Sequence, residues 1–222
     1  GINSEAIDDE FITLMKQHNV TYIPTLAVYH NHSDEKHNHT ISSQSELLKT
    51  IPEKLQGCLF EKVPAPSKWK EHAWDERKTA YANIQKLHKA NITIGTGSDA
   101  GNPYTLHGTG LHNELDALKK AGLTNGEIIN AATVNGAKVI NKAESIGKLA
   151  KGFEASFVLL KQNPLNDINH IHTISQVYKT GLKVDRSALI AQNKAITPQG
   201  PTCNEEVKSS QAQHNIDDFT GD

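Results

Sequence analysis

The sequence predicts an α/β protein, and the order of its hydrophobic patterns is the main reason. Apolar residues recur at helical spacing in residues 4–19, 67–90 and 111–122. Between these helices lie two strand-like stretches, VTYIPTLAVY at 20–29 and NITI at 91–94. The order helix, strand, helix, strand, helix is typical of a parallel α/β unit, although two strands cannot close a barrel.

Local signals predict where these elements end. Ser4-Glu5 suits a helix start and Asn19 a helix stop. Pro24 removes a backbone donor, so the first strand is predicted to end around Tyr22-Ile23. Gly122 is predicted to end the helix of residues 111–122, whose apolar face we place at Leu111, Leu115 and Leu118.

A further helix is predicted after Thr124, which suits an N-cap. The sequence pattern then changes: GKLAKGFEASFVLLKQNP and ISQVYKTGLKVDRS combine short β-branched runs with glycine turns. We expect a small antiparallel sheet there. The polar residues after Ile196 predict a loosely ordered tail.

Composition excludes some classes of function. The 222 residues carry 23 Lys and Arg against 25 Asp and Glu, so no basic surface points to nucleic acid. No apolar run reaches the length of a membrane span, and no basic amphipathic helix suggests a membrane anchor. Cys58 and Cys203 are too few for a disulfide scaffold.

The stretch GTGSDA at 95–100 matches a dinucleotide-binding glycine pattern, but its surroundings do not. That motif needs a helix to begin among the glycines, whereas Gly101-Asn102-Pro103 interrupts the chain at once. The acid that should end a second strand, Asp116, lies within a predicted helix. No Lys-Ser/Thr pair follows the glycines, so a P-loop is excluded as well.

Asp99 is the carboxylate that emerges from these glycines, and two interpretations of it stay open. Aspartate commonly caps turns by bonding to its own backbone. Equally, the carboxyl end of a strand in an α/β protein is where side chains converge on a site.

Histidines offer a second candidate site. His30, His32, His37 and His39 alternate with polar residues in a stretch that predicts a solvated loop, with metal binding as the alternative. His88 and His112 fall on predicted helices, where we expect ordinary hydrogen-bonded histidines.

Three motifs in order carry a resemblance to a known family. ITIGTGSDAG, HGTGLHNELDALKKAGLTNGEIINAATVNGAKVI and IGKLAKGFEASFVLLKQNPLNDI together resemble the C-terminal part of the metal-dependent amidohydrolase superfamily, in its imidazolonepropionase-like and dipeptidase-like branch. The resemblance runs through most of residues 1 to 185. Ser156 stands where family members usually carry an aspartate, at a position that is structural.

The resemblance implies a fold: the C-terminal part of a (β/α)₈ TIM barrel plus part of a small β-sandwich. VTYIPTLAVY resembles the seventh barrel strand and ITIGTGSDA the eighth. It implies three regions: the barrel part at 1–142, the sandwich strands at 143–196, and a polar tail at 197–222.

The resemblance also implies roles for two residues. Asp99 matches the aspartate of strand eight, which ligates a divalent metal and handles the proton of the metal-bound water. His107 matches a loop histidine near the substrate. The metal expected is zinc, as one or two ions in the intact enzyme. The family's other metal ligands precede Gly1 in its motif order, so a fragment of a longer hydrolase is expected.

The function implied is hydrolysis of an amide or cyclic amide C–N bond in a small-molecule or dipeptide-like substrate. No nucleic-acid or membrane partner is expected, and a homo-oligomer is left open. The alternative is an inactive fragment, or a non-enzymatic binding or scaffold module that keeps the amidohydrolase shape.

Overall fold

A computed structural model describes residues 5–28, 67–101 and 105–195. The chain divides into two compact units, one of Gly1–Glu35 with Ala65–Val184 and one of Lys36–Pro64 with Asp185–Asp222. The described part of the first unit mixes helices and strands, as the predicted α/β class requires. Of the second unit the structure describes one helix, Arg186–Ala195.

The helices lie as follows. They are α1 (Asp9–Gln17), α2 (Ser67–Lys89), α3 (Thr109–Lys120), α4 (Asn125–Asn130), α5 (Gly136–Val139) and α6 (Arg186–Ala195), with a π-helical turn at Ala131–Asn135 and a 3₁₀ helix at Ile168–His172. Within the described ranges, no helix is both long and apolar enough to cross a bilayer. The 3₁₀ helix and α6 were not anticipated from the sequence.

The helix ends follow their local chemistry. Asp8 caps α1 by accepting a hydrogen bond from the Phe11 amide at 2.8 Å, so α1 begins after the predicted start at Ser4-Glu5. Asn19 adopts a left-handed φ of 49°, which agrees with the predicted stop. Thr124 caps α4 in a capping box with Glu127, as the sequence predicts for the cap.

The two predicted strands meet in a parallel bridge between Tyr22 and Ile94. The Tyr22 amide donates to the Thr93 carbonyl at 2.9 Å, and the Gly95 amide donates to the Tyr22 carbonyl at 2.9 Å. Residues 26–28 are already helical, so the first strand-like segment ends before them, as Pro24 predicts. We call residues 25–27 the 25–27 turn.

The core of the first unit lies between α2, α3, α4 and the bridged segments. Its fully buried side chains include Ile84 and Leu87 of α2, Leu118 of α3 and Ile128 of α4. The predicted apolar face of α3 is only partly right, because Leu111 is 40% exposed. The helix is rotated so that a polar residue of α3, described below, points into the core.

Three strands form an antiparallel sheet in the order β1 (Phe157–Leu160), β2 (Ile174–Lys179) and β3 (Leu182–Lys183). This confirms the small antiparallel sheet that the glycine turns predict. The register shifts between Leu159 and Leu160, which marks a bulge. The Ser156 hydroxyl accepts a hydrogen bond from the Thr180 amide at 2.9 Å, so Ser156 ties the start of β1 to the β2–β3 turn.

Candidate active site

Asp99 lies on the connection that leaves the bridged segment and leads into α3. Its side chain is exposed, and its backbone is left-handed with φ 50°. Aspartate is one of the few residue types that adopt this conformation readily. Behind it the segment is fixed, because the Asn135 side-chain amide donates to the Ile94 carbonyl at 2.8 Å.

Contacts before and after Asp99 hold this connection in place. The Gly101 amide donates to the Thr105 carbonyl at 2.9 Å, and Thr105 is buried. A Cβ atom on Gly110 would lie 3.0 Å from Cβ of Ser98 and 3.2 Å from Cγ2 of Thr105. The first turn of α3 therefore packs against the residue that precedes Asp99.

His107 lies in the turn between Thr105 and the start of α3, and its side chain is exposed. The structure thus places Asp99 and His107 on the same strand-to-helix connection. Both are exposed on this connection, and surface connections commonly carry the groups that act on a ligand.

A second connection, the 25–27 turn, approaches the first at Gly97. A Cβ atom on Gly97 would lie 2.7 Å from Cγ2 of Ile23 and 3.8 Å from Oγ1 of Thr25. Glycine is required here because a side chain would collide with Ile23. The 25–27 turn therefore lies beside a residue only two positions before Asp99.

Glu114 of α3 is a buried carboxylate that the sequence analysis missed. Its exposed fraction is 0%, and its Oε2 accepts a hydrogen bond from the Ala27 amide at 2.7 Å. Among the described residues, its Oε1 has no hydrogen-bond partner. A signal was present, since Glu114 lies on the same helix face as the predicted core residues Leu115 and Leu118.

Burial raises the pKa of Glu114 to about 8, because the low-dielectric interior disfavours the charged carboxylate. The backbone amides of Ala27, Leu26 and Thr25 work in the opposite direction and lower that pKa. Desolvation outweighs them. Around neutral pH the buried carboxyl group is therefore largely protonated.

Metal ligation can be tested on the described residues. In the ranges 5–28, 67–101 and 105–195, no three or more His, Cys, Asp or Glu side chains are grouped to hold a metal ion. The exposed carboxylate of Asp99 suits one ligand position. The histidines of the predicted loop, His30, His32, His37 and His39, lie outside the described residues, as do Cys58 and Cys203.

The two helical histidines have the ordinary contacts expected of them. His88 Nε2 and Glu127 Oε1 lie 2.7 Å apart. His112 Nδ1 and His172 Nδ1 lie 2.9 Å apart, and burial, followed by the charge of His172, lowers the pKa of His112 to about 4. His112 therefore stays neutral at physiological pH.

Comparison with known proteins identifies the family. The sequence profile of the amidohydrolase family matches residues 3–184. The chain belongs to the amidohydrolase family. This amidohydrolase is 30% identical over 182 residues to ochratoxinase from Aspergillus niger, covering 78% of this chain and 31% of that protein.

Other relatives agree with this assignment. An imidazolonepropionase from Herpetosiphon aurantiacus is 33% identical over 121 residues, covering 51% of this chain and 27% of that protein. The fold resembles that of a Xaa-Pro dipeptidase with methionine bound in its active site, with a TM-score of 0.57, 20% identity, and coverage of 80% and 37%. The amidohydrolase chain spans less than a third of the two curated relatives.

Proposed function

We propose that this amidohydrolase takes part in hydrolysing an amide or cyclic amide C–N bond in a small-molecule or dipeptide-like substrate. The observation that carries the proposal is Asp99, an exposed carboxylate at the end of a parallel-bridged segment. Support comes from the family and from relatives that include an ochratoxinase, an imidazolonepropionase and a Xaa-Pro dipeptidase.

The proposed site uses a divalent metal, with zinc as the expected ion and one or two ions in the intact enzyme. When bound, a divalent metal would lower the pKa of water to about 7, so that a nucleophile exists at neutral pH. Asp99 would hold it through one carboxylate oxygen. A catalytic zinc site needs about three protein ligands, so the others would come from sequence beyond the described residues.

Asp99 also moves the proton in this proposal. Its carboxylate accepts a proton from the attacking water while the new C–O bond forms, and returns it to the leaving nitrogen as the C–N bond breaks. The same carboxylate can serve both transfers, because it accepts the proton in the first step and donates it in the second. His107 lies on the same connection and would bind the substrate.

The finer features of the fold belong to the same proposal. Residues 1–142 would be the C-terminal part of a TIM barrel, with the bridged segments as its seventh and eighth strands. Residues 143–196 would belong to a β-sandwich, and 197–222 would form a tail. The parallel bridge and the antiparallel sheet support this arrangement.

The test is steady-state kinetics of Asp99→Asn in the intact enzyme with dipeptides, N-acyl amino acids and cyclic amides. The substitution keeps the shape of the side chain but removes the base, so kcat should fall by about 10² to 10⁴. Asp75→Asn is the matched control, because Asp75 is an exposed residue of α2 that pairs with Lys78. It should leave kcat unchanged.

Melting temperature and metal content are measured on the same samples. If folded Asp99→Asn enzyme keeps more than about a tenth of the wild-type kcat, the result supports the alternative that Asp99 is a turn residue. If wild-type enzyme hydrolyses none of these substrates, the non-enzymatic alternative is favoured.

A further inference from the structure

The 25–27 turn and the Asp99 connection follow the two segments that meet at the Tyr22–Ile94 bridge. Because the bridge is parallel, both segments run in the same direction and their following residues emerge at the same edge. Thr25 comes three residues after the bridge and Asp99 five residues after it. A Cβ atom on Gly97 would lie 3.8 Å from Thr25 Oγ1, so the two connections lie side by side.

Thr25 has an unusual backbone. Its φ of 56° lies in the left-handed region, which a β-branched residue rarely adopts. Such conformations persist only where surrounding contacts enforce them, and they cluster at active sites and ligand-binding turns. Since Thr25 lies beside the connection that carries Asp99, the strain points to a role in that site.

Glu114 supplies a contact that holds this turn. Its hydrogen bond to the Ala27 amide spans 87 positions of sequence and is buried. α3, which carries Glu114, begins at the end of the Asp99 connection and packs on Ser98 through Gly110. One side chain therefore links the turn after the first segment to the helix after the second.

We propose that Glu114 is a positioning residue, which holds the 25–27 turn so that this turn lines the substrate-binding side of the Asp99 site. The inference rests on the hydrolase function proposed above. Glu114 itself is buried and acts only through the turn. The half-buried Thr25 hydroxyl can donate a hydrogen bond to an oxygen beside the C–N bond of an amide substrate.

The expected kinetic effect follows from the different roles of the 25–27 turn and Asp99. The turn binds the substrate, whereas Asp99 on the other connection moves the proton. Loss of an interaction that is equal in ground state and transition state raises KM and leaves kcat unchanged. Displacing the turn should therefore affect KM first.

Glu114→Ala, Glu114→Gln and Thr25→Ala are compared in the intact enzyme, with metal content and melting temperature measured on each. Glu114→Ala should raise KM at least about tenfold with kcat within about threefold. Glu114→Gln should recover most of KM, since its amide oxygen can accept from the Ala27 amide. Thr25→Ala should raise KM in the same direction.

Glu127→Ala is the matched control. Glu127 also accepts a hydrogen bond from a backbone amide, that of Thr124 at 2.8 Å, but at the start of α4. Its loss should lower the melting temperature and leave KM as in wild type.

Glu114→Ala with a lowered melting temperature and a KM within about twofold of wild type would show a purely structural role and overturn the inference. The proposed function would survive that result. A wild-type enzyme that hydrolyses no tested substrate would instead overturn both. If Glu114→Ala yields no folded enzyme, Thr25→Ala decides, and an unchanged KM for it overturns the inference.

Discussion

The β2–β3 hairpin and the Asp99 site both hold left-handed residues that are not glycine, but they hold them by different means. In the hairpin, Thr180 with φ 51° and Gly181 with φ 82° form the two-residue turn between β2 and β3. A right-twisted hairpin requires this geometry, so the neighbouring strands enforce it. Thr25 and Asp99 lie outside such a turn, and a carboxylate 87 positions along the chain supports the 25–27 turn.

This difference predicts which substitutions each region is sensitive to. The hairpin depends on its own residues and on the nearby Ser156 hydroxyl. The candidate site depends on close contacts between segments that are distant in sequence. Substitutions in the hairpin should therefore have small local effects, whereas substitutions between the two connections should have larger ones.

Among the glycine substitutions, the largest effect on stability is expected at Gly97. A Cβ atom there would come within 2.7 Å of Cγ2 of Ile23, which is attached to a branched and stiff side chain. Gly97→Ala should therefore lower the free energy of unfolding by about 1–3 kcal/mol, measured by chemical denaturation.

Gly126→Ala makes the same chemical change in α4, where, among the described residues, the new methyl group would meet only Leu165 at 3.8 Å. It should stabilise the protein by about 0.5–1 kcal/mol, because alanine is the better helix residue. Equal changes in the free energy of unfolding at the two positions would contradict a close contact between Gly97 and Ile23.

A separate effect, on the pH dependence of stability, is expected from Glu114. The folded protein keeps the Glu114 proton up to a pKa of about 8, whereas the unfolded chain loses it near the ordinary glutamate pKa of 4.5. Unfolding therefore releases a proton between these values, so this contribution is complete below pH 4.5 and is lost as pH rises through 8. The slope is at most about 1.4 kcal/mol per pH unit.

Melting temperatures of wild type and Glu114→Gln across this range measure that contribution. Glutamine does not titrate, so the difference between the two proteins should shift steadily in favour of Glu114→Gln as pH rises. Parallel pH profiles would show that Glu114 is charged in the folded protein, with its carboxylate better solvated than its burial suggests.

The smallest effect is expected in the hairpin. Gly181→Ala places a side chain at φ 82°, where no described residue lies within 4 Å, so we expect backbone strain alone to oppose it. The free energy of unfolding should fall by about 1 kcal/mol, and kcat and KM should not change. A change in KM would contradict the local character of this region.

Features that depend on neighbouring residues could be predicted from the sequence. The Thr124 cap, the stop at Gly122 and the turn at Thr180-Gly181 all follow from signals within a few positions. The position of Asp99 at the end of a bridged segment follows from the apolar run before it. For the cap, the stop and the turn, the residue and its partner share one short stretch of chain.

Features that depend on distant contacts could not. The pairing of Glu114 with the Ala27 amide needs the fold itself, and so does the rotation of α3 that exposes Leu111. The predicted roles of Asp99 and His107 stay predictions, because they concern ligands and reacting atoms. A titratable residue among core positions, as at Glu114, is the sequence signal that points to such a distant contact.

The π-helical turn at Ala131–Asn135 has a consequence for insertions and deletions. A π-turn holds one residue more than an α-helical turn, and the Asn135 at its end donates to the Ile94 carbonyl. Deleting one residue from the regular helix before it, Asn125–Asn130, would turn Asn135 by about 100° around the helix axis relative to the start of α4. We expect substitutions on its exposed side to be tolerated, whereas the number of residues before Asn135 is constrained by the bridged segment that contains Ile94.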